Sequence, residues 1–545
     1  MKLKAYANCD DAVIAWKPDG MIKSCLGFAL FRERNGRLEC VPTWVGFQGD
    51  FSRPGTQRPS TRWPIQKFMW TDYLAQPGDR IRYRVVPMVG TAGHLEQAES
   101  LASDWTEEVE ISPSAGSGTA SYFNRGVVST QWLARRLKNV PPKEQRAKLA
   151  QIIKDPSSKI RTFLAGSVRE EILNLLQEAK DTNGSIFCAL YELNDPELIE
   201  ALKGLGRRAN VILANGSTGD SAKDGNREAR KVLQGSVTLY NRMVGSGHLA
   251  HNKFLVLCDK DDQPRKVWTG STNWTVTGLC TQANNGILFD DVTLASWFKK
   301  QWEQLKQAGD TFPKWLVDAD SQEQSMVVGS GKAAVWFTPV NQKKDLAHAR
   351  SLINNARDGI LFLMFNPGPE GTLLNDILNM RDANLYIHGV VNQDPGGKKK
   401  PLITMYHRGE EVRPNIEVIL PEAIEKKLAF WEPELKNYSI AMVHSKVIVI
   451  DPFGDRPVVM TGSHNMGPKA SSKNDDNLVI IEGVGSLAAD YAVNIISIYN
   501  QYRWRYHRMI AQKSKAWTGL IPVDTWQDGY FKGAKLREME FWLGR

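Results

Sequence analysis

Two short stretches hold residue types that can do chemistry together. The first, residues 247–275, sets His251 and Lys253 one residue apart ahead of the apolar run FLVL. It continues to Gly270-Ser271-Thr272-Asn273. The second, residues 442–467, repeats the arrangement with His444, Lys446, the run VIVI and Gly462-Ser463-His464-Asn465. The histidines stand 193 residues apart, and the interval from histidine to glycine is 19 residues in one stretch and 18 in the other. An isolated H-x-K before an apolar run is usually a strand edge with a solvated lysine, and an isolated GSxN is usually a turn. Two copies at matched spacing are far harder to obtain as background.

These residue types suit an anionic ester with a poor alkoxide leaving group, the problem posed by a phosphodiester. One imidazole can be neutral and attack while the other is protonated and donates to the leaving oxygen. Lys253 and Lys446 bring positive charge to the phosphoryl oxygens, and Ser271, Asn273, Ser463 and Asn465 bring neutral hydrogen bonds. The set makes no demand for a cofactor or a metal. No HExxH, acidic triad or Cys/His cluster at ligand spacing occurs in the sequence.

The elements that must position these side chains are also repeated. Each stretch reads as strand, turn, strand, with the reactive residues near one end. Before the first, EEILNLLQEAKD reads as a helix, SIFCALYEL as a strand, DPELIEALKGLG as a helix opened by an Asp cap, and ANVILANG as a strand. The same order returns as AHARSLINNARD, GILFLMF, TLLNDILNM and ANLYIHGVV, so the fold class is α/β with an internal duplication. The expected boundaries are an all-β domain over 1–112, a small-residue linker over 113–121, a first half over 122–317, a connector over 318–334, and a second half over 335–545 with a Trp-rich C-terminal extension. Within the first domain, AVIAW, SCLGFALFRE, RLECVPTWV and DRIRYRVVPMV read as strands of a small sandwich, with Tyr83 expected to form a tyrosine corner.

At 545 residues the chain is too long for one core. A formal net charge of +9 favours polyanions, either nucleic acid or anionic lipid headgroups. No run reaches the roughly 18 apolar residues of a membrane span. The N-terminal MKLKAYANCDDAVIAW meets acidic residues before it builds a signal-length apolar core. Six cysteines without a CxxC pair read as reduced, mostly buried thiols. The expectation is a cytoplasmic protein without a transmembrane segment, with signal-less secretion as the alternative.

The paired motifs resemble the HKD motifs of the phospholipase D superfamily: H-x-K, four residues, D, then a GSxN-type segment. The resemblance spans roughly residues 122 to 510. It rests on His251-Asn252-Lys253 with Gly270 to Asn273, and on His444-Ser445-Lys446 with Asp451 and Gly462 to Asn465. It implies two α/β-sandwich halves facing across a pseudo-twofold to make one active site. One histidine would become a phosphohistidine and the other would serve as acid and then base, without a metal. The N-terminal stretch resembles a fibronectin type III or immunoglobulin-like module at the level of pattern.

The chain departs from the superfamily pattern at Cys258, which takes the motif aspartate's place in the first copy, with Asp259 one residue later. A carboxylate that orients a histidine is expected at Asp476 after the second motif, where the first copy has Asn284. Pairing each histidine with the group downstream in its own copy puts Asp476 beside His444 and favours its charged form. On that pairing His444 is the acid and His251 the nucleophile. His248 is expected at the rim, and His464 at a variable position near the site.

Within the resemblance, two motifs in one chain are typical of the superfamily's phospholipases and phospholipid synthases, which implies a phospholipid substrate, with transfer to an alcohol as a companion reaction and peripheral contact with a membrane. Tryptophans in YRWRYH, KAWTGL, DTWQDG and EFWLG would suit a lipid interface, with packing as the alternative. A nuclease acting on DNA or RNA is the competing expectation, supported by the basic charge and by YRWRYHR. A non-catalytic scaffold is opposed by intact His, Lys, Ser and Asn in both motifs. The N-terminal sandwich is expected to dock a protein partner or to shield the site.

Overall fold

In the computed structural model, which describes residues 1–50, 56–126, 140–217, 224–382, 384–392, 416–419, 442–514 and 519–544, the apolar runs of the two repeats form two eight-stranded sheets of identical order. The first sheet runs Ser114–Gly116, Thr119–Phe123, Asn285–Phe289, Pro264–Gly270, Lys253–Cys258, Ser185–Leu190, Ala209–Ala214 and Thr238–Arg242. The second runs Gln324–Val328, Gly331–Phe337, Asn477–Glu482, Val458–Gly462, Lys446–Ile450, Gly359–Met364, Tyr386–Val391 and Ile416–Ile419. Central strands such as Lys253–Cys258 and Gly359–Met364 are buried along their whole length. Their sequences are continuous apolar runs because helices cover both faces.

Helices Lys159–Asp181 and Pro196–Leu205 cover the outer face of the first sheet, and Lys344–Asn354 and Leu373–Leu378 that of the second. Asp195 caps its helix as the sequence predicts, accepting from the Glu197 and Leu198 N–H groups. Between the sheets lie Val292–Ala308 and the long helix Gly485–Ser514, in one continuous core. There Phe298 meets Phe254 of the first half at 5.2 Å and Phe337 of the second at 4.9 Å between ring centroids.

The N-terminal domain is all-β. A three-stranded sheet (Lys2–Ala7, Ala12–Lys17, Met69–Asp72) faces a five-stranded one built on Cys25–Arg34 and Arg80–Thr91. Tyr83 is buried but does not make the expected corner onto backbone. Its hydroxyl donates to Asp72 at 3.0 Å, whose carboxylate is also held by Arg32 at 2.6 Å, because a buried carboxylate requires donors. Five of the six cysteines are buried and all are free.

The expected linker is instead structure. Residues 114–123 form the edge hairpin of the first sheet, turning through Gly116, Ser117 and Gly118, all at positive φ. A tight turn and a flexible linker share a small-residue composition, which is why the two read alike. The expected connector likewise holds Gln324–Val328 and the start of Gly331–Phe337, the matching hairpin of the second sheet.

Two of the C-terminal tryptophan segments pack inward and leave the lipid interface without them. Trp526 is buried and donates to the Cys25 carbonyl at 2.9 Å; Trp542 is buried and its carbonyl accepts from Tyr6 at 2.8 Å. With Tyr530 stacked on Phe68 at 4.4 Å, they fasten the sandwich to the α/β halves. The side chains of Trp504 and Trp517, in YRWRYH and KAWTGL, lie outside the described residues. Among the described residues no helix is long and apolar enough to cross a membrane.

Candidate active site

Lys253 and Lys446 each begin a strand, and Gly270 and Gly462 each end the neighbouring antiparallel one, so both motifs gather at strand ends. The glycines sit at φ 154° and 132°, and a Cβ on either would meet the carbonyl of Asn285 or Asn477 at 2.3 Å. Close backbone approach therefore fixes Gly at the start of each GSxN turn.

Two short parallel pairings cross between the halves. Leu249–Ala250 lies on Asn474–Asp475, and Gln282–Ala283 lies on Met442–Val443. They end in matched hydrogen bonds of 2.9 Å, from the His251 N–H to the Asp475 carbonyl and from the His444 N–H to the Ala283 carbonyl. Behind them Asn285 donates to Thr461 at 2.7 Å and Thr269 to Asn477 at 2.8 Å. A buried ion pair, Arg242 with Asp475, adds a charged link across the same seam. The chain has thus built one site from two halves around a pseudo-twofold.

Each histidine is held by the other half. Nδ1 of His251 donates to Asp476 Oδ1 at 2.7 Å, and Nδ1 of His444 donates to Asn284 Oδ1 at 2.9 Å. The pairing expected within each copy is therefore reversed: Asp476 serves His251, and Asn284 serves His444. Asn284 has its amide orientation fixed, because its Nδ2 donates to the Gly278 carbonyl at 2.8 Å and its Oδ1 accepts from Ser271 at 2.7 Å. Both Nδ1 atoms must then carry hydrogen, which leaves Nε2 as the group available for chemistry on each ring.

The lysines follow the same symmetry. Each ammonium donates to the carbonyl of its own motif histidine. Lys253 lies over Tyr191 at 4.9 Å and Lys446 over Phe365 at 4.7 Å. Those rings also pack on the imidazoles, Tyr191 on His251 at 4.7 Å and Phe365 on His444 at 4.5 Å between centroids. Motif reading missed both aromatics, although each directly follows the corresponding strand of its repeat. It also missed Glu192, whose carboxylate accepts from Asn273 Nδ2 at 2.6 Å.

Several expected site residues have other work. Ser271 Oγ donates to Asn284 and accepts from the Asn285 N–H at 3.0 Å, and Ser463 Oγ accepts from the Asn477 N–H at 3.0 Å. Both oxygens tie the turn to the next strand. Asn273 and Asn465 each keep a buried Oδ1 without a partner. Asp451 is placed at the far end of its strand from Lys446. It accepts from the N–H groups of Arg357, Asp358 and Gly359 at 2.8, 2.8 and 2.9 Å, so its part is to hold a loop and not to react.

Asp259 lies in a surface turn paired with Arg265, likewise at the far strand end. His464 is fully buried, with Nε2 3.1 Å from Asp345 and Nδ1 accepting from the Met466 N–H, which makes it a piece of scaffold. His248 is half-buried, bonded through Nδ1 to the Lys473 carbonyl at 2.7 Å and stacked on Phe312.

The site is deep: His251 is 3% exposed, His444 4%, Lys253 1% and Lys446 0%. Burial, then the neighbouring Lys253, pushes His251 down to about 4 in spite of Asp476. Burial, then Lys446 and Lys253, pushes His444 well below its ordinary value. Burial lowers both lysines, and Lys446 is lowered further by Lys253. Burial alone would raise Asp476, but His251, then His464 and Lys253, hold it below the usual carboxylate range. Four basic groups are thus crowded out of water with Asp476 and Glu192 for compensation. An anion placed among them restores their charged forms. Among the described residues no group of three or more His, Cys, Asp or Glu is gathered to hold a metal ion.

The sequence profile of the family described as "Cardiolipin synthase, PLD-like domain" matches residues 172–306 and 349–498, just over half of the chain and both repeats. The chain is 22% identical over 215 residues to a mitochondrial cardiolipin hydrolase of Danio rerio, a match covering 37% of this chain and 89% of that protein. Among solved structures it is similar to a phosphatidylserine synthase of Haemophilus influenzae Rd KW20, with 11% identity over 65% of this chain and 92% of that one, at a TM-score of 0.43. It is also similar to a polyphosphate kinase of Porphyromonas gingivalis, with 12% identity over 64% of this chain and a TM-score of 0.38, spanning half of that protein's length. The family profile, and not these distant structural likenesses, carries the assignment.

Proposed function

This chain belongs to the PLD-like family whose profile spans both of its repeats, and from that premise we propose that it is a phosphodiesterase acting on a phospholipid through a phosphohistidine. The observation that carries the proposal is the crossed pairing of the two imidazoles, His251 on Asp476 and His444 on Asn284. It gives two histidines in one cleft different electrostatic surroundings.

His251 is the nucleophile. The Asp476 carboxylate holds its Nδ1 proton, which directs the Nε2 lone pair at phosphorus, and stabilises the positive ring that forms on attack. The sequence assigns the same roles by the opposite pairing, so the assignment now stands on a different reason. His444 is the acid. Attack of His251 Nε2 forms the P–N bond and breaks the P–O bond to the alcohol, whose oxygen takes the proton from His444 Nε2. Neutral His444 then removes a proton from water, the oxygen attacks phosphorus, and the P–N bond breaks to regenerate His251. An alcohol in place of water gives transfer instead of hydrolysis. Lys253 and Lys446 stabilise the charge that develops on the phosphoryl oxygens.

A phospholipid substrate is supported by the names of the family and of the Danio rerio relative, both of which concern cardiolipin. The test is direct. Phosphatidylethanolamine and phosphatidylcholine vesicles are incubated with the purified protein in parallel with single- and double-stranded DNA and RNA. Bis(p-nitrophenyl) phosphate reports the chemical step, and rapid-quench labelling with peptide mapping locates the phosphoryl group. Release of a lipid headgroup and label on the His251 peptide are expected. Cleavage of nucleic acid with intact lipid would assign the competing nuclease activity, label on the His444 peptide would exchange the two roles, and absence of label on either would reject the covalent path.

A further inference from the structure

The site is symmetric in His, Lys, Ser, Asn and the aromatic that follows each strand, but beside the Asp476–Asn284 difference a second carboxylate breaks the symmetry. Glu192 follows Tyr191 in the first half; in the second, Asn366 follows Phe365 at the corresponding place. Glu192 is half-buried, bonded to the motif amide of Asn273, and close enough to both motif lysines to feel their charge. It makes no ion pair with either, because each ammonium is committed to a histidine carbonyl and an aromatic face.

A carboxylate beside an anion-binding cleft repels the phosphate it adjoins and is costly to keep in low dielectric. Burial raises its pKa accordingly, with Lys253, a hydrogen bond from the Ser217 backbone and Lys446 acting against that rise. A substrate that presents only a phosphate gains nothing from it. A substrate whose alcohol carries a protonated amine a few bonds from phosphorus gains a charge-assisted hydrogen bond and cancels the repulsion. A polynucleotide brings further phosphates to the same place and is penalised.

Resting on the phosphodiesterase reading above, we propose that Glu192 is a specificity residue that selects phosphodiesters of amino alcohols and disfavours polynucleotides. Such a substrate is zwitterionic: the phosphate lies between the lysines and the ammonium lies on Glu192, at the first-half end of the cleft.

The test compares native protein with Glu192→Gln, which keeps an acceptor for Asn273 and removes the charge. The probes are short-chain phosphatidylethanolamine, phosphatidylglycerol of the same acyl length, a single-stranded oligonucleotide and bis(p-nitrophenyl) phosphate. For the native protein, kcat/KM should favour the amine ester over the glycerol ester. In the variant the amine ester should lose about 10- to 100-fold, the worth of a hydrogen bond to a charged group. The three probes without an amine should shift together, by the one factor that losing a compensating charge beside Lys253 and Lys446 sets, and the amine ester should fall well below them. An unchanged ratio of amine to glycerol ester, or an equal loss on all four probes, would overturn the role of Glu192 alone. A native protein inert to every probe would overturn the phosphodiesterase reading beneath it.

Discussion

Replacing Asp476 with Asn removes one charge and nearly preserves the shape of the group that holds His251. At 2.7 Å between Nδ1 and Oδ1, a full charge on each partner is worth ~6 kcal/mol at an effective dielectric of about 20. That figure is an upper bound, since Lys253 competes for the same carboxylate. A charge-assisted hydrogen bond contributes about 1.5–3 kcal/mol net. Orientation matters as well: Asp476 Oδ2 accepts from Asn474 Nδ2 at 3.2 Å, so an amide at 476 that keeps oxygen towards His251 sets two donors face to face unless Asn474 turns over. Taking about 3 kcal/mol for the lost stabilisation of the attacking imidazolium, phosphorylation of His251 should slow roughly 100-fold. The assay is the pre-steady-state burst with a p-nitrophenyl phosphodiester, whose leaving group departs without a proton and so isolates His251 from His444. A burst rate within threefold of native in a variant with unaltered melting would refute the claim that Asp476 stabilises the nucleophile.

Asn284→Asp should raise the pKa of His444 by giving it an anionic neighbour and move the optimum of kcat/KM to higher pH, at a cost in stability of about 1–3 kcal/mol from facing the Gly278 carbonyl; a pH–rate profile and a melting curve together check both. In the native protein His444 lies well below 6.5 and His251 at about 4. The acid is therefore lost as pH rises through a range well below 6.5 and the base only near pH 4, so kcat/KM for a substrate with an alkoxide leaving group should already be falling with pH below 6.5 and go on falling above it. Asp451→Ala should destabilise the fold by about 2–4 kcal/mol by orphaning three N–H groups, while kcat per folded molecule stays within about threefold; equal stability with abolished turnover would return Asp451 to the chemistry. Because Lys253 and Lys446 supply the charge, hydrolysis of a soluble phosphodiester should survive EDTA, and complete loss restored by one divalent ion would contradict the mechanism.

What could be read from the chain was local. Continuous runs such as FLVL and VIVI, the Asp195 cap and the paired H-x-K and GSxN segments each express a preference within a few residues, and their recurrence exposes the duplication. Tertiary structure decided what those segments meet. Asp476 lies 225 residues from His251, and Asn284 lies 160 from His444. The crossed pairings at Ala250 and Val443 bring them together, whereas proximity along the chain suggests the opposite partners. Ser271 and Ser463 have the right atoms for phosphate, and only the folded turn shows that each oxygen also accepts from a backbone N–H of the next strand. Trp526 and Trp542 have the composition of an interfacial belt, but the sandwich packs over them. The hairpin at 114–123 has the composition of a linker, but the edge of a neighbouring strand pairs it. Residue type and spacing limit the chemistry a chain can attempt; which donor faces which acceptor depends on long-range packing, and that is not encoded within any one segment.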